Sequence, residues 1–205
     1  MTTYSQLRSD IVNWTNNEST ELLAALDTII NLAELRCYRE LDLRIYRESR
    51  TSATEPGNTY LALPIDCLVV RLLRLTGGEH LQNRDESFIR EFWPDPTATG
   101  RPRYYALWDE ETVLLAPTPD QGYPLTVVFT RQPTGLSAAN PTTWLSTFAY
   151  DLLLQACLLE AAGYLEGVTA ERMAMYQQRY GDAAQRVQAQ DARNRGDDFL
   201  TRSMT

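Results

Sequence analysis

The residues able to do chemistry in this chain are few and scattered. His80 is its one histidine. A Ser-His-Asp relay or a zinc site needs an orienting acid or further ligands at set spacing, and none accompanies it. It reads as a turn residue after Gly77, Gly78 and Glu79. Asp109, Glu110 and Glu111 are consecutive, so their carboxylates point in different directions; a solvated hairpin tip accounts for them better than a metal or acid–base site. Cys37, Cys67 and Cys157 are odd in number, far apart and set among apolar residues. They read as reduced, buried small side chains, not a disulfide framework or a metal cluster. All 19 cationic side chains are Arg. Without lysine there is no Schiff-base chemistry, no Walker-A lysine and no lysine general base. Arg set against Asp and Glu suits permanent, bidentate contacts between protein surfaces. Glycine-rich phosphate loops, a nucleophile elbow, C-x-x-C and an EF-hand loop are all missing from the sequence. Neither an enzyme nor a cofactor is expected.

The elements that could position an interaction surface follow from the apolar spacing. At 205 residues the chain can bury about 70% of its unfolded surface, as one domain with an inserted lobe. A formal charge of −8 argues against generic attraction to nucleic acid or an anionic membrane. With no long apolar run and no signal-peptide layout, synthesis in a cytoplasm is expected. Tyr4, Leu7, Ile11 and Trp14 share one face of a predicted helix over residues 4–14, with Thr3 and Gln6 placed as a capping box. A second helix is predicted from Ser19 or Thr20 to about Leu41, striped by Leu22, Leu26, Ile29, Ile30, Ala33 and Cys37. Residues 42–57 read as an extended arm or strand leaving the helices and ending at Pro56-Gly57. Strands are expected at 60–63, 68–75, 103–108, 112–116 and 124–130, with a short helix over 84–93. The run 124–130 is expected to add a third strand to the 103–116 hairpin.

Helix returns over 142–166, apolar nearly all round, which requires cover on more than one side. The last helix begins at Thr169; Met173, Tyr176, Tyr180, Ala183 and Val187 repeat at three- and four-residue steps, as in a helix-pairing seam. Gly181 interrupts it, and its small size suits close approach of a neighbour. The pattern fades near Arg193. The fold class is therefore α+β, a helical bundle with an inserted β-rich lobe. Its organisation is 1–57 for the N-terminal helices and arm, 58–131 for the lobe, 132–195 for the C-terminal helices and 196–205 for a tail. Arg36, Arg39, Arg44, Arg47 and Arg50, interleaved with Tyr38 and Tyr46, are the densest basic stretch. They read either as a solvated or inter-subunit charge seam or, alternatively, as a nucleic-acid-binding module; the equal acidic count nearby opposes tight phosphate binding.

Several features in order over residues 60–165 carry a resemblance. They are Leu63-Pro64-Ile65-Asp66, Gly100-Arg101-Pro102, Ala116-Pro117-Thr118-Pro119-Asp120, the alternating run 123–129, and Trp144 before an Ala/Leu-rich helix. In this order and spacing they resemble the head-to-tail adaptor (connector, head-completion) proteins of tailed bacteriophages. The resemblance implies a structural virion protein made in the host cytoplasm. It implies a ring, usually of twelve copies, beneath the portal, joining the capsid vertex to the tail or nozzle proteins. DNA would pass through its lumen without specific binding, and no membrane is involved. On that picture Arg193, Arg195, Phe199, Leu200 and Arg202 are expected to contact the portal. Arg36, Arg39, Arg44, Arg47, Met173, Tyr176 and Tyr180 are expected at subunit interfaces, with neighbours covering the over-apolar helix. Asp95, Thr97, Arg101, Asp120 and Tyr123 are expected to face the tail.

Overall fold

Helix α1 (Tyr4–Thr15) starts where Thr3 Oγ1 accepts the Gln6 N–H at 3.4 Å and stops at Asn16, in the left-handed region with φ 50°. Asn tolerates that conformation because its short polar side chain bonds locally. Helix α2 (Thr20–Glu40) is capped by Ser19, whose hydroxyl accepts the Leu22 N–H at 3.2 Å. The expected stripe of α2 is buried, together with one residue that breaks the apolar rule, Glu34. The computed structural model describes the backbone of residues 2–202 and the side chains of residues 2–193. It divides into a helical unit, Met1–Leu43 with Thr134–Thr205, and a β unit, Arg44–Pro133.

In the β unit, the segment read as an arm or strand is a 3-10 turn, Arg44–Tyr46, followed by a full strand, β1 (Arg47–Ala53). The remaining elements are β2 (Tyr60–Ala62), β3 (Cys67–Leu75), β4 (Gln82–Asn83), helix α3 (Glu86–Phe92), β5 (Thr99–Gly100), β6 (Tyr104–Leu107), β7 (Thr112–Ala116), β8 (Thr118–Pro119) and β9 (Pro124–Arg131). Strand β9 does not join the β6–β7 hairpin, as the sequence suggested. It is the centre of a separate sheet ordered β1-β9-β3, while the hairpin belongs to a sheet ordered β2-β7-β6-β4. The reason lies in its alternation. Leu125, Val127 and Phe129 are fully buried while the residues between them are half-exposed, and Pro117 and Pro119 cannot continue a ladder outward from β7.

The two sheets close on a shared core of Leu61, Leu73, Leu75, Tyr105, Val113 and Leu115 with the three β9 residues. Each such side chain, fully buried, contributes about 1.5–3 kcal/mol. The outer face of the β6–β7 hairpin has a second core, in which Ala106, Leu114 and Ala116 receive Ile89 of α3. One side of the sandwich is closed by Arg50. Its guanidinium lies 5.4 Å from the Phe129 ring centre and makes two 2.7 Å bonds to the Asp66 carboxylate.

The predicted 142–166 helix is two helices, α4 (Trp144–Phe148) and α5 (Tyr150–Tyr164), divided at Ala149 with φ −135°. Alanine is the best helix former, so nothing in the residue types marks the break. The bend instead buries Leu145, Ala149 and Leu152 together, leaving Phe148 71% exposed. Helix α4 has a capping box between Thr143 and Ser146. Helix α5 is apolar all round, and α1, α2, α4 and α6 (Ala170–Arg202) pack against it within the one chain. No neighbouring copy is needed to cover it, contrary to the expectation. The seam of α6 is likewise closed internally: Tyr176, Tyr180, Ala183 and Val187 are buried and Met173 is half-buried. A Cβ at Gly181 would meet nothing within 4 Å, so that glycine serves no close approach. The helix runs on to Arg202, past the point near Arg193 where the sequence pattern fades.

Candidate functional site

Catalytic chemistry has no home among the described residues. No three His, Cys, Asp or Glu side chains are grouped to hold a metal there. His80 is exposed and forms a single β-bridge with Arg74. Burial pushes the Cys37 thiol up to about 12, and the Cys157 thiol also stands well above its ordinary value, so neither is a nucleophile at neutral pH. Glu34 is 1% exposed, and burial raises its carboxyl above the ordinary value even though three donors oppose the shift. Those donors are the Leu136 N–H at 2.6 Å, the Tyr38 hydroxyl at 3.0 Å and the Thr143 hydroxyl at 3.2 Å. They fix the segment leading into α4 against α2. Glu34 is thus a structural latch, and sequence periodicity, which placed an acid on an apolar stripe, was the signal for it.

The basic stretch is divided by the fold. In the helical unit, Arg36 pairs with Glu160 at 2.6 Å and reaches Glu40 at 3.7 Å, while Tyr180 donates to Glu40 at 2.6 Å. Arg36, Tyr176 and Tyr180 therefore work inside the chain, and Arg39 is exposed. In the β unit, Arg50 is held by Asp66 and Glu48, whereas Arg44 and Arg47 are exposed. A continuous cationic strip for nucleic acid is not what these contacts make.

The loops expected to face a partner do converge. Strands β5 and β8 pair in parallel, Thr99 with Thr118 and Gly100 with Pro119, which brings residues 95–101 beside 117–123. Arg101 spans the junction, bonding Glu79 at 3.1 Å and lying 5.7 Å from the Tyr123 ring centre, while the Tyr123 hydroxyl donates to Asp120 at 2.7 Å. Asp95 accepts both the N–H and hydroxyl of Thr97, at 2.9 and 2.6 Å, which lowers its carboxyl below the ordinary value and stiffens the loop. This cluster sits at the end of the sandwich remote from Arg47, Cys67 and Arg131, where the strands of the first sheet meet.

A second surface escaped the sequence reading. Tyr60 and Trp108 meet edge to face at 5.5 Å, Arg90 lies 5.2 Å from the Trp108 ring centre, and Phe92 stands beside Phe88 at 4.6 Å. Tyr60 and Trp108 are 44% and 42% exposed, aromatic side chains of the kind that anchor protein interfaces, and Phe92, 60% exposed, stands apart with Phe88 and Trp93. Strand parity was the missing signal: Tyr60 opposes Leu114, so it shares the outer face with α3.

A family model described as the SU10 adaptor protein matches residues 2–201. The chain belongs to the SU10 adaptor protein family. It is a structural component of a bacteriophage, an adaptor that associates with other head and tail proteins. No curated protein matches its sequence. Among the described residues, no helix of this adaptor is long and apolar enough to cross a membrane. Among the side chains described, the last buried one in α6 is Val187, and the helix backbone continues to Arg202, roughly 22 Å further. Arg193 is exposed on that extension; Arg195, Phe199, Leu200 and Arg202 lie outside the residues whose side chains are described.

Proposed function

We propose that this adaptor assembles as a ring, of twelve copies, on the tail side of the portal, joins the capsid vertex to the tail or nozzle proteins, and surrounds the DNA channel. The observation that carries the reading is the family match over residues 2–201, on a chain whose exposed features are docking surfaces. The end of α6 from Arg193 onward is the portal-contacting part. The loop cluster of Asp95, Thr97, Arg101, Asp120 and Tyr123 faces the tail. Twelve chains of formal charge −8 carry about −96, and a like-charged wall lets duplex DNA slide without adhering. The arginine ties to Glu160, Asp66 and Glu48 favour this over a phosphate-binding role.

The test is co-assembly of full-length adaptor with portal protein, viewed by electron microscopy. A ring of density added to one end of the portal supports the reading. Adaptor that leaves the portal unchanged at every ratio overturns it. Removing residues 195–205 is expected to abolish portal binding while the helical content and melting temperature stay within error of the intact chain. Undiminished co-assembly of the truncated chain refutes the assignment of that segment.

A further inference from the structure

The β sandwich has two outer faces of opposite character. On the three-stranded sheet, alternation turns Leu73, Val127 and Phe129 inward, so Val69, Leu72 and Val128 lie outward as a short apolar stripe. Arg47 and Arg74 flank it, exposed and without an ion pair among the described residues. Arg71 stands there too, donating to Thr130 Oγ1 at 2.9 Å. The one carboxylate in these strands, Glu48, points to the other side, toward Arg50 and Arg131. This face is aliphatic and basic, and in the β unit no element covers it.

The opposite face is aromatic and acidic. Tyr60 and Trp108, in edge-to-face contact at 5.5 Å, form its exposed centre. Glu91 follows Arg90 in α3, and Glu110 and Glu111 stand in the β6–β7 turn just after Trp108; all three are exposed and make no ion pair among the described residues. Its cations are occupied: Arg90 is bound to Glu86 at 2.5 Å, and Arg84 lies over Phe88 at 5.5 Å.

We propose that adaptor copies meet head to tail through these faces, the basic aliphatic face of one β unit seated on the aromatic acidic face of the next. This rests on the ring reading and names the surface that builds it. The occupant of each face is a second copy, because each supplies what the other lacks: guanidinium groups for the carboxylates, a flat aliphatic stripe for the aromatic rings. Since the faces lie on opposite sides of one sandwich, the contact cannot be a two-fold pair. Each copy gives one face and receives the other, the arrangement that yields a ring when the rotation closes. Charge complementarity sets the register and excludes like faces, while the aromatic centre supplies most of the hold.

Two full-length variants test it, Arg74→Glu on one face and Trp108→Ala on the other, with Glu110→Arg as a second probe of the acidic face. Arg74 and Glu110 are exposed, so their variants should melt with the parent; Trp108 also packs on Tyr60, so its variant is assayed well below its own melting temperature. Assembly is read by sedimentation velocity at low salt and by the number of copies bound to portal. Each variant alone is expected to associate at least about tenfold more weakly than the parent. Arg74→Glu mixed with Glu110→Arg is expected to recover most of the loss, because the swapped charges meet across the contact. Variants that assemble like the parent overturn these faces while leaving the ring intact. Weakened variants that fail to recover on mixing overturn the head-to-tail pairing. A parent chain that stays monomeric with and without portal overturns the ring and this contact together.

Discussion

Replacing Glu34 isolates the largest single polar commitment inside the helical unit. In the folded chain its carboxylate accepts from the Leu136 N–H, Tyr38 and Thr143, with no ion pair to it among the described residues. Alanine leaves the Leu136 N–H, on a residue only 7% exposed, without an acceptor. An orphaned buried amide costs about 1–3 kcal/mol. The two hydroxyls can rotate toward other acceptors and add less, and losing a buried charge returns some desolvation energy. A net loss of about 2–3 kcal/mol is expected, which lowers the melting temperature of a chain this size by roughly 4–12 °C. Glutamine keeps an acceptor oxygen for Leu136, and its amide can donate to the hydroxyls, so Glu34→Gln should stay within about 1 kcal/mol of the parent. The pH dependence carries a definite sign. Burial raises the carboxyl of Glu34 in the fold above its unfolded value, so the folded state holds that proton more tightly. Relative to the glutamine variant, the parent must gain stability as pH falls from above the raised value toward the ordinary carboxylate range. Chemical denaturation of parent and glutamine variant from the ordinary carboxylate range upward through neutral pH measures the difference directly. A difference that shrinks on acidification, or an alanine variant melting within a degree or so of the parent, refutes the latch.

Three further outcomes follow from the same interior. Gly181 lies inside α6 with open space around its missing Cβ, so Gly181→Ala should stabilise by about 0.5–1 kcal/mol in denaturant titration; destabilisation would reveal a contact at that face. Tyr180 is 6% exposed and donates to Glu40, with burial the first cause holding its hydroxyl protonated, and Tyr180→Phe should cost about 1 kcal/mol. In a thiol-reagent assay at mildly alkaline pH, the native protein should yield only the half-buried Cys67, with Cys37 and Cys157 appearing on denaturation. Prompt native reaction of more than one thiol contradicts the closed core.

The helical pattern was legible wherever one face of a helix is buried. Leu7 and Ile11, the Leu22–Cys37 stripe and the cap at Thr3 stand where spacing placed them, and of the two starts open for the second helix, Ser19 is the cap. Strand existence was also readable, because Val127 and Phe129 alternate with polar or half-exposed neighbours. Strand partnership was not. Alternation says that one face of β9 is dry but leaves open which strands flank it, and β1, with the polar sequence RESRTSA, carries no apolar face at all. Its place is fixed by backbone pairing to β9 along its whole length, which leaves no trace in side-chain hydropathy. The candidate site divides in the same manner. Proline and glycine punctuation marked the loops that β5 and β8 draw together, since turn residues act locally. The fate of each arginine depended on a partner far along the chain: Arg36 finds Glu160, and Arg50 finds Asp66. A basic cluster in sequence therefore became two internal clamps and a few exposed charges.

Those clamps change where assembly must come from. Had α5 kept an uncovered apolar side, a ring neighbour would have been part of its folding, and a lone copy would have been unstable. Instead Leu152, Leu153, Ala156, Cys157, Leu158 and Ala161 are dry within one chain, at 0% exposure, and the α6 tyrosines are bonded or buried inside it. These side chains need no second copy to bury them. What remains exposed among the described residues is of another kind: aromatic rings near carboxylates and aliphatic strands among guanidinium groups. Contacts of that sort are individually modest and sensitive to salt. They suit subunits that circulate as stable monomers and join when a partner surface holds several of them in place. Raising salt should therefore weaken adaptor–adaptor association while leaving the melting temperature of the single chain nearly unmoved, and a parallel fall in both would show that folding and assembly share one interface after all.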